Sequence, residues 1–563
     1  MYVMERRTAM FVRTKKRDDK TYLLIVESKR VGKRIEQITL ASLGRLDKLL
    51  ASGQLDGLLA SLGRFSEKMA VLGAHERGES ITARARRIGP ALIFERLWRE
   101  LDVGGVIREL SQDRKFGFDL ERAIFLTVLH RLFDPGSDRA AEKWKDVHAI
   151  GGAGELALQH LYRAMAWLGT PLPLGQQRAL SHQMPRCIKD RVEEELFARR
   201  RDLLTTLDMV FFDTTSIYFE GQGGATMGEP GFSKDHRPDL KQLVVGMVLD
   251  DSGTPICSQI LPGNATDVKS LLPVRARLER QFAVERVCLV ADRGMISQET
   301  MIELERDRWP YVLGARLRQG DAAMERVLAD GGALEEVFPK AKGSKAPSPL
   351  RVKEVRVGER RYVVCFNEDQ ATKDRHDREA IVAALAGALK QGDKTLIGNK
   401  GFKRYVAASG EHFTIDAAKV AAEARYDGLW VLATNTALSA REVALKYKQL
   451  WMVEDAFRSM KSLLSTRPIW HQCDETIVGH VFCSFLALLL RKRLQDRLDE
   501  LGWTLEWADV IRDVGELMEM EISVQGKGYV IRAEAQGVAG KVARAAGVAL
   551  PPTLRPCEPS EHD

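Results

Sequence analysis

Two apolar runs that each end in an aspartate constrain the fold of this chain more than any other feature. The first is Met209–Phe212, closed by Asp213, and the second is Val287–Ala291, closed by Asp292. Short apolar runs bounded by polar residues are typical of strands buried in a sheet. Strand-like and helical patterns alternate around them, at 241–250, 255–261, 267–282, 297–307 and 310–317. The alternation predicts an α/β core.

Both aspartates are candidate metal ligands. A carboxylate at the end of a buried strand is held rigidly, with its head in the crevice where open α/β sheets bind ligands. Divalent cations such as Mg²⁺ prefer oxygen ligands, and phosphodiester chemistry commonly uses two of them. A strand-end aspartate is also a common turn or cap residue, and the chain holds 78 acidic residues. Either aspartate alone therefore leaves both interpretations open.

A third carboxylate, Glu454, lies in the segment 446–461, which the pattern predicts to be one helix. Tyr447, Glu454 and Lys461 are spaced by seven residues, which is almost two turns, so all three project from nearly the same face. The neighbouring apolar stripe consists of Leu450, Val453, Phe457, Met460 and Leu464. Such a helix suits the binding of a metal ion and a phosphate backbone.

Length and composition indicate a multidomain intracellular protein. A chain of 563 residues is too long for one core. Its net charge of +7 is compatible with a polyanionic partner, although many globular proteins share it. The seven cysteines form no Cys-x-x-Cys pair, which is typical of a reducing cytosol. No signal peptide is evident, and the longest apolar run, Val481–Leu490, is too short to span a membrane.

Several motifs, taken in order, resemble the DDE transposases of bacterial insertion sequences, specifically the IS-four superfamily with its Y-x2-R-x3-E-x6-K signature. Tyr447, Glu454 and Lys461 match that signature, whereas Leu450 stands where the motif has arginine. Arg458, one turn beyond Glu454, is a candidate to replace it. Other similar segments are 213–216, 234–242, 291–295, 425–428 and 467–471. The resemblance covers about 205–500.

The resemblance implies an RNase H-like catalytic core, a mixed five-stranded sheet flanked by helices, with an insertion between the second aspartate and the glutamate. It implies that Asp213, Asp292 and Glu454 are catalytic and bind two Mg²⁺ or Mn²⁺ ions. It also implies that Tyr447 and Lys461 contact the DNA backbone. Further candidate DNA contacts are Arg458, Arg293, His236, Arg237 and Lys241. The last three lie in a polar run that is equally compatible with a solvated turn.

The predicted fold class is multidomain α/β, with six segments along the chain. They are an N-terminal β-hairpin and helix region (1–88), an α-helical domain expected to bind DNA ends (89–205), the first part of the RNase H-like core (206–317), a mainly β insertion domain (318–425), the second part of the core (426–500) and a C-terminal helical tail (501–563). The end of the tail is polar and proline-rich, and is expected to be disordered.

The resulting hypothesis is a cytoplasmic cut-and-paste transposase. It would act on double-stranded DNA, at the terminal inverted repeats of its element and at target DNA, through a hairpin intermediate and as a homodimer on paired ends. Two alternatives are a catalytically decayed relative that only binds DNA, and an RNase H-like nuclease without strand transfer. The three intact acidic residues argue against the first, and the Tyr447/Lys461 pair argues against the second.

Overall fold

The computed structural model describes residues 9–31, 34–63, 82–177, 185–201, 207–284, 286–318, 322–339, 348–391, 400–409, 412–524 and 527–557. The chain divides into two compact units, which are described separately. The first unit comprises Met1–Arg87, Glu516–Gln536 and Leu550–Asp563. The second comprises Ile88–Gly515 and Gly537–Ala549.

The secondary structure is mixed throughout. The strands are β1 (Ala9–Arg17), β2 (Lys20–Val31), β3 (Arg34–Arg45), β4 (Thr82–Arg87), β5 (Met209–Tyr218), β6 (Gln242–Asp250), β7 (Pro255–Pro262), β8 (Cys288–Ala291), β9 (Tyr311–Gly314), β10 (Glu335–Val337), β11 (Leu350–Val357), β12 (Arg360–Phe366), β13 (Val406–Ser409), β14 (His412–Ile415), β15 (Leu429–Thr434), β16 (Met518–Val524), β17 (Lys527–Arg532) and β18 (Leu554–Pro556).

The α-helices are α1 (Leu46–Ala51), α2 (Gln54–Gly63), α3 (Gly89–Glu100), α4 (Val103–Leu110), α5 (Leu120–Phe133), α6 (Asp138–Trp144), α7 (Leu158–Gly169), α8 (Ile188–Arg200), α9 (Leu271–Gln281), α10 (Gln298–Arg306), α11 (Ala322–Ala329), α12 (Glu368–Gln391), α13 (Lys400–Lys403), α14 (Ala417–Ala424), α15 (Ala440–Lys448), α16 (Trp451–Arg458), α17 (Asp474–Glu500), α18 (Trp507–Gly515) and α19 (Ala539–Ala545). A π-helical turn, Ser459–Leu463, follows α16.

The first unit contains two antiparallel sheets, with strand orders β1-β2-β3 and β18-β17-β16-β4. The predicted N-terminal hairpin is confirmed, because β2 pairs with β3 in antiparallel register. The sequence predicts its turn at residues 31–33, of which 32–33 lie outside the described residues. The sequence predicts a helical tail after residue 500. The segment contains α18 and α19, but it also contains the strands β16, β17 and β18. The proline-rich end, 558–563, is also outside the described residues.

The second unit is built on a nine-stranded mixed sheet of order β10-β11-β12-β15-β9-β8-β5-β6-β7. Within it, β5, β6 and β7 form an antiparallel meander, while β8 and β9 run parallel to β5. These five consecutive strands make a mixed sheet with helices around it, consistent with an RNase H-like domain. Residues Met209–Phe212 of β5 are all buried, as expected for a strand covered on both faces.

Helices cover this sheet because their apolar faces complete its core. On one side, Leu271, Val274 and Leu278 of α9 and Leu304 of α10 join a single buried cluster with strand residues such as Phe212. Helices α16 and α17 contact β5, β6 and β7. Val481–Leu490 lies within α17 and is buried. No helix in the described part of the chain is long and apolar enough to cross a membrane.

The region predicted as an insertion contributes both to the central sheet and to a separate cluster. Strands β11 and β12 pair with each other, and β12 pairs with β15, so both belong to the nine-stranded sheet. Leu385 of α12 and Tyr405 form a small core of their own, beside β13 and β14. The boundaries at 318 and 425 stay a prediction.

Among the helices between residues 89 and 200, α3, α5 and α7 contact α17. A buried ion-pair network fixes α8 against the sheet. Glu193, fully buried, accepts hydrogen bonds from the Ser258 hydroxyl (2.6 Å) and from Arg277 (2.7 Å). Buried charges of this kind are tolerated only when paired, so the network ties the helical layer to β7 and α9.

Candidate functional site

The register of two parallel strands brings the two predicted aspartates together. Phe212 of β5 is opposite Ala291 of β8, so the next residues, Asp213 and Asp292, follow side by side where β8 ends. The prediction that Asp213 closes its strand is wrong, because β5 continues to Tyr218. Neighbouring strands are about 4.8 Å apart, which sets the spacing of the two backbones. Both apolar runs were predicted to be strands, and that prediction is confirmed.

Asp213 lies in a setting that disfavours its charged form. Its side chain is 21% exposed, and one oxygen accepts the Thr214 N–H at 2.7 Å. Burial raises the pKa of Asp213 to about 6, and the nearby carboxylates of Asp292 and Asp267 add to the rise. Lys234, whose ammonium is 3.9 Å away, opposes it only in part. The cluster therefore carries more negative charge than its surroundings compensate.

Asp292 is held by the signature tyrosine. The Tyr447 hydroxyl donates a hydrogen bond of 2.8 Å to its Oδ1. Burial raises the pKa of Tyr447 above its ordinary value, and the Asp292 charge contributes, so this hydroxyl stays a donor. Gly314 makes the approach possible, because a Cβ there would lie 2.5 Å from the Tyr447 oxygen and 2.9 Å from the Arg293 nitrogen.

Replacing Gly314 by alanine is expected to displace Tyr447 from Asp292, because the backbone of Arg293 blocks the other direction. We expect about a tenfold or greater loss of DNA cleavage with a stability loss of about 1–3 kcal/mol, the usual range for overpacking. Cleavage rates and thermal melts of Gly314→Ala beside Gly331→Ala measure both effects. A Cβ at Gly331 meets nothing within 4 Å, so that control keeps both properties. Wild-type cleavage by Gly314→Ala would show that the Tyr447 contact is dispensable.

The predicted single helix over 446–461 is wrong in detail. α15 ends at Lys448, and α16 begins at Trp451 after a tight turn. In this turn the N–H groups of Gln449 and Leu450 bond to carbonyls three residues back instead of four. A π-helical turn then follows α16. Across this interrupted helix, Tyr447 reaches Asp292, Lys461 reaches Asp235, and Glu454 lines an open cavity.

The signature glutamate and Asp213 share one open cavity of about 360 Å³. Glu454 is exposed on the first turn of α16 and lines this cavity with Asp213. The other charged residues that line it are Lys234, Asp235, Arg458, Lys461 and Arg467. Three carboxylates and four cations therefore line one space that is open to solvent.

The third signature residue, Lys461, binds a carboxylate in the structure. Its ammonium is 2.7 Å from Asp235 Oδ1. Burial lowers the pKa of Lys461, and the Asp235 carboxylate opposes that change. Arg458, by contrast, is 72% exposed and pairs with Asp455 at 3.3 Å. Leu450, at the position of the motif arginine, is buried.

The remaining predicted DNA contacts are not among the residues that line this cavity. Arg293 is exposed in the turn after Asp292 and lines a second cavity, of about 370 Å³, together with Tyr447. His236 is exposed, Arg237 pairs with Asp239 at 2.9 Å, and Lys241 donates to Gln222 at 3.2 Å. These last three form a polar surface loop beside β5 and β6.

Two charged neighbours of Asp213 were not among the predicted site residues. Asp267 accepts a 2.6 Å hydrogen bond from the Thr214 hydroxyl, and the Lys234 ammonium is 3.4 Å from its other oxygen. A signal for Asp267 exists in the sequence. It follows the run predicted as a strand at 255–261, and β7 ends at the same edge as β5 because both are antiparallel to β6.

The donor set suits a hard divalent cation. Asp213, Asp292 and Glu454 offer only carboxylate oxygens, the ligands that Mg²⁺ and Mn²⁺ prefer. The pKa of Asp213 is raised mainly by burial and in part by the charges of Asp292 and Asp267, and a bound cation would favour its charged form. Within the described ranges, no three His, Cys, Asp or Glu side chains are already close enough to hold a metal ion.

Comparison with known families decides the class of protein. A profile of the transposase DDE domain matches residues 205–490, which include all three signature residues and both aspartates. The chain belongs to the DDE transposases. A profile of the N-terminal domain of IS1634 family transposases matches residues 11–76. No curated protein matches the chain. This DDE transposase is therefore the metal-dependent enzyme of an insertion sequence.

Proposed function

We propose that this transposase moves its element by a cut-and-paste route and that Asp213, Asp292 and Glu454 form its metal-binding triad. The register of β5 and β8 carries the proposal, since it sets the two aspartates side by side on neighbouring strands. The shared cavity of Asp213 and Glu454 supports the third member. We propose two Mg²⁺ or Mn²⁺ ions as the cofactor. When bound, such ions activate the attacking oxygen and stabilise the leaving oxygen of a phosphodiester.

The residues around the triad have distinct proposed roles. Tyr447 holds Asp292 in one orientation through its hydrogen bond. Lys461 would neutralise a DNA phosphate at the cavity, as a lysine does by point charge. Arg293 and Arg458 are exposed near the triad and would contact the backbone on either side. His236, Arg237 and Lys241 would line the path of the duplex.

In the proposed reaction, hydrolysis at the element boundary frees a 3′-hydroxyl. That hydroxyl attacks the opposite strand to form a hairpin, and after resolution it attacks target DNA. In both transesterifications a P–O bond forms and another breaks, so no external energy source is needed. The cavity is open to solvent, so a phosphate group of a duplex lying across its mouth could reach the acidic residues.

We assign the chain to the IS-four superfamily on the Tyr447, Glu454 and Lys461 spacing. Leu450 cannot replace the motif arginine as a phosphate contact, because it is buried and apolar. The exposed Arg458 is our candidate for that role. We further propose that residues 89–205 bind the terminal repeats, that a homodimer holds the paired ends, and that the protein acts in the cytoplasm.

The decisive test is incubation of the full chain with a labelled duplex carrying the terminal repeat of its element. We expect nicking, a hairpin product and joining to a second DNA, all dependent on Mg²⁺ or Mn²⁺. Binding should weaken steeply with salt, because each phosphate contact releases counterions. Denaturing gels resolve the three products, and a chelator provides the control.

The other outcomes separate the alternatives. Nicking without joining, at any ratio of donor to target DNA, would indicate an RNase H-like nuclease. Tight binding to the repeat without nicking would indicate a catalytically decayed relative. Neither binding nor cleavage would overturn the proposed function.

A further inference from the structure

One carboxylate in the cavity wall gathers two cations. Asp235 Oδ1 is 2.7 Å from the Lys461 ammonium and also bonds the Arg467 guanidinium. Its other oxygen is buried and has no hydrogen-bond partner among the described residues. The three side chains thus carry a net charge of one positive unit.

The carboxylate lies beneath the cations. The Asp235 side chain is 5% exposed, against 12% for Lys461 and 29% for Arg467. All three line the cavity that holds Asp213 and Glu454. An anion that enters the cavity therefore meets the cations first, while the carboxylate beneath them limits how far they can move.

Both sides of this arrangement are anchored to β5. The Lys234 N–H donates to Ser216 of β5 at 2.8 Å, which fixes the residue next to Asp235. On the other side, Ile469 donates to the carbonyl of Tyr218, the last residue of β5, at 3.1 Å. The strand that carries Asp213 therefore also fixes the positions of the segments that carry Asp235 and Arg467.

We propose that Lys461 and Arg467 form a two-cation subsite for a backbone phosphate of DNA, with Asp235 as the residue that positions them. The inference rests on the proposed function and adds Arg467 and Asp235 to it. Two converging cations bind a phosphodiester through charge and, for arginine, through paired N–H donors. The phosphate bound here is a neighbour of the one that faces the acidic residues.

The test measures binding of the terminal-repeat duplex to the full chain without divalent metal, across a range of salt. Arg467→Gln is expected to weaken binding about tenfold and to lower the slope of log K against log salt by about one. Arg467→Lys should keep the slope, since the charge remains. Arg306→Gln is the matched control, because Arg306 is a 67% exposed arginine on α10 that does not line the cavity.

Asp235→Asn separates positioning from simple electrostatics. Removing a negative charge beside DNA should tighten binding if charge alone matters. A positioning role predicts several-fold weaker binding instead, and no further loss when Asp235→Asn is added to a Lys461→Gln, Arg467→Gln double variant. Thermal melts confirm that each variant is folded. If Arg467→Gln fails to fold, Lys461→Gln tests the subsite, since it should also lower the salt slope by about one.

Two results overturn the subsite while leaving the transposase assignment intact. They are an unchanged salt slope in Arg467→Gln, and tighter binding by Asp235→Asn, in each case with wild-type protein that still cleaves its ends. If the wild type neither binds nor cleaves the repeat, both the subsite and the proposed function fail.

Discussion

Glu454→Gln is expected to abolish end cleavage while leaving the protein as stable as the wild type. The substitution keeps the size of the side chain and removes the charge that a divalent ion requires. Losing one carboxylate ligand removes several kcal/mol of transition-state stabilisation, and each 1.4 kcal/mol is tenfold in rate. We therefore expect a loss of about 10³-fold or more. Because Glu454 is exposed, its stability change should stay within about 0.5 kcal/mol.

Asp455→Asn is the matched control for this experiment. Asp455 is adjacent in sequence and pairs with Arg458 on the surface of α16, but it does not line the cavity. Exposed ion pairs contribute little, so its cleavage rate should change less than about threefold. Time courses of nicking with Mg²⁺ and with Mn²⁺ give both rates. Cleavage that survives Glu454→Gln would remove Glu454 from the triad.

The parts of the fold that follow local patterns could be predicted from the sequence. Continuous apolar runs identified β8 and the first four residues of β5, since strands covered on both faces are mostly apolar, whereas the polar second half of β5 lies beyond that run. The ends of these runs then located Asp213 and Asp292. The match of residues 205–490 to the DDE domain agrees with the motifs that pointed to the family.

Contacts between distant segments could not be predicted in the same way. Helical spacing places Tyr447, Glu454 and Lys461 on one face, yet the turn at Gln449 and the π-helical turn redirect them. The contact of Tyr447 with Asp292 depends on Gly314, and the contact of Lys461 depends on the loop that holds Asp235. Both Gly314 and this loop lie more than a hundred residues earlier in the chain. Neither dependence is visible in a local pattern.

The C-terminal strands show a different limit. Met518, Met520 and Ile522 alternate with acidic residues, a two-residue period that is typical of a strand. The pattern covers only seven residues and follows a helix, so the surrounding sequence favours a helical tail. Its partner strand β4 lies more than 400 residues earlier, and only that pairing completes the sheet.

Asp213→Asn is expected to stabilise the metal-free protein while it abolishes cleavage. In the folded protein the pKa of Asp213 is raised from 3.8 to about 6. Below about pH 4 the carboxyl group is protonated in both the folded and the unfolded chain, so it costs nothing. Between pH 4 and 6 the unfolded chain loses its proton first, and the free energy of unfolding therefore falls as pH rises. Above about pH 6 the folded protein bears the full free-energy cost of the charged Asp213 carboxylate.

The size of this cost follows from the pKa difference, at ~1.4 kcal/mol per pH unit. Asp213→Asn should therefore raise the free energy of unfolding by up to about 3 kcal/mol at pH 7 and change it little at pH 4. Thermal or urea unfolding with a chelator at both pH values measures the difference, and the exposed Asp251→Asn is the control. A variant that is less stable at pH 7 would mean that Lys234 fully compensates the charge. A gain in stability coupled to a loss of cleavage would mean that the fold tolerates a costly carboxylate in the middle of β5 because catalysis requires it.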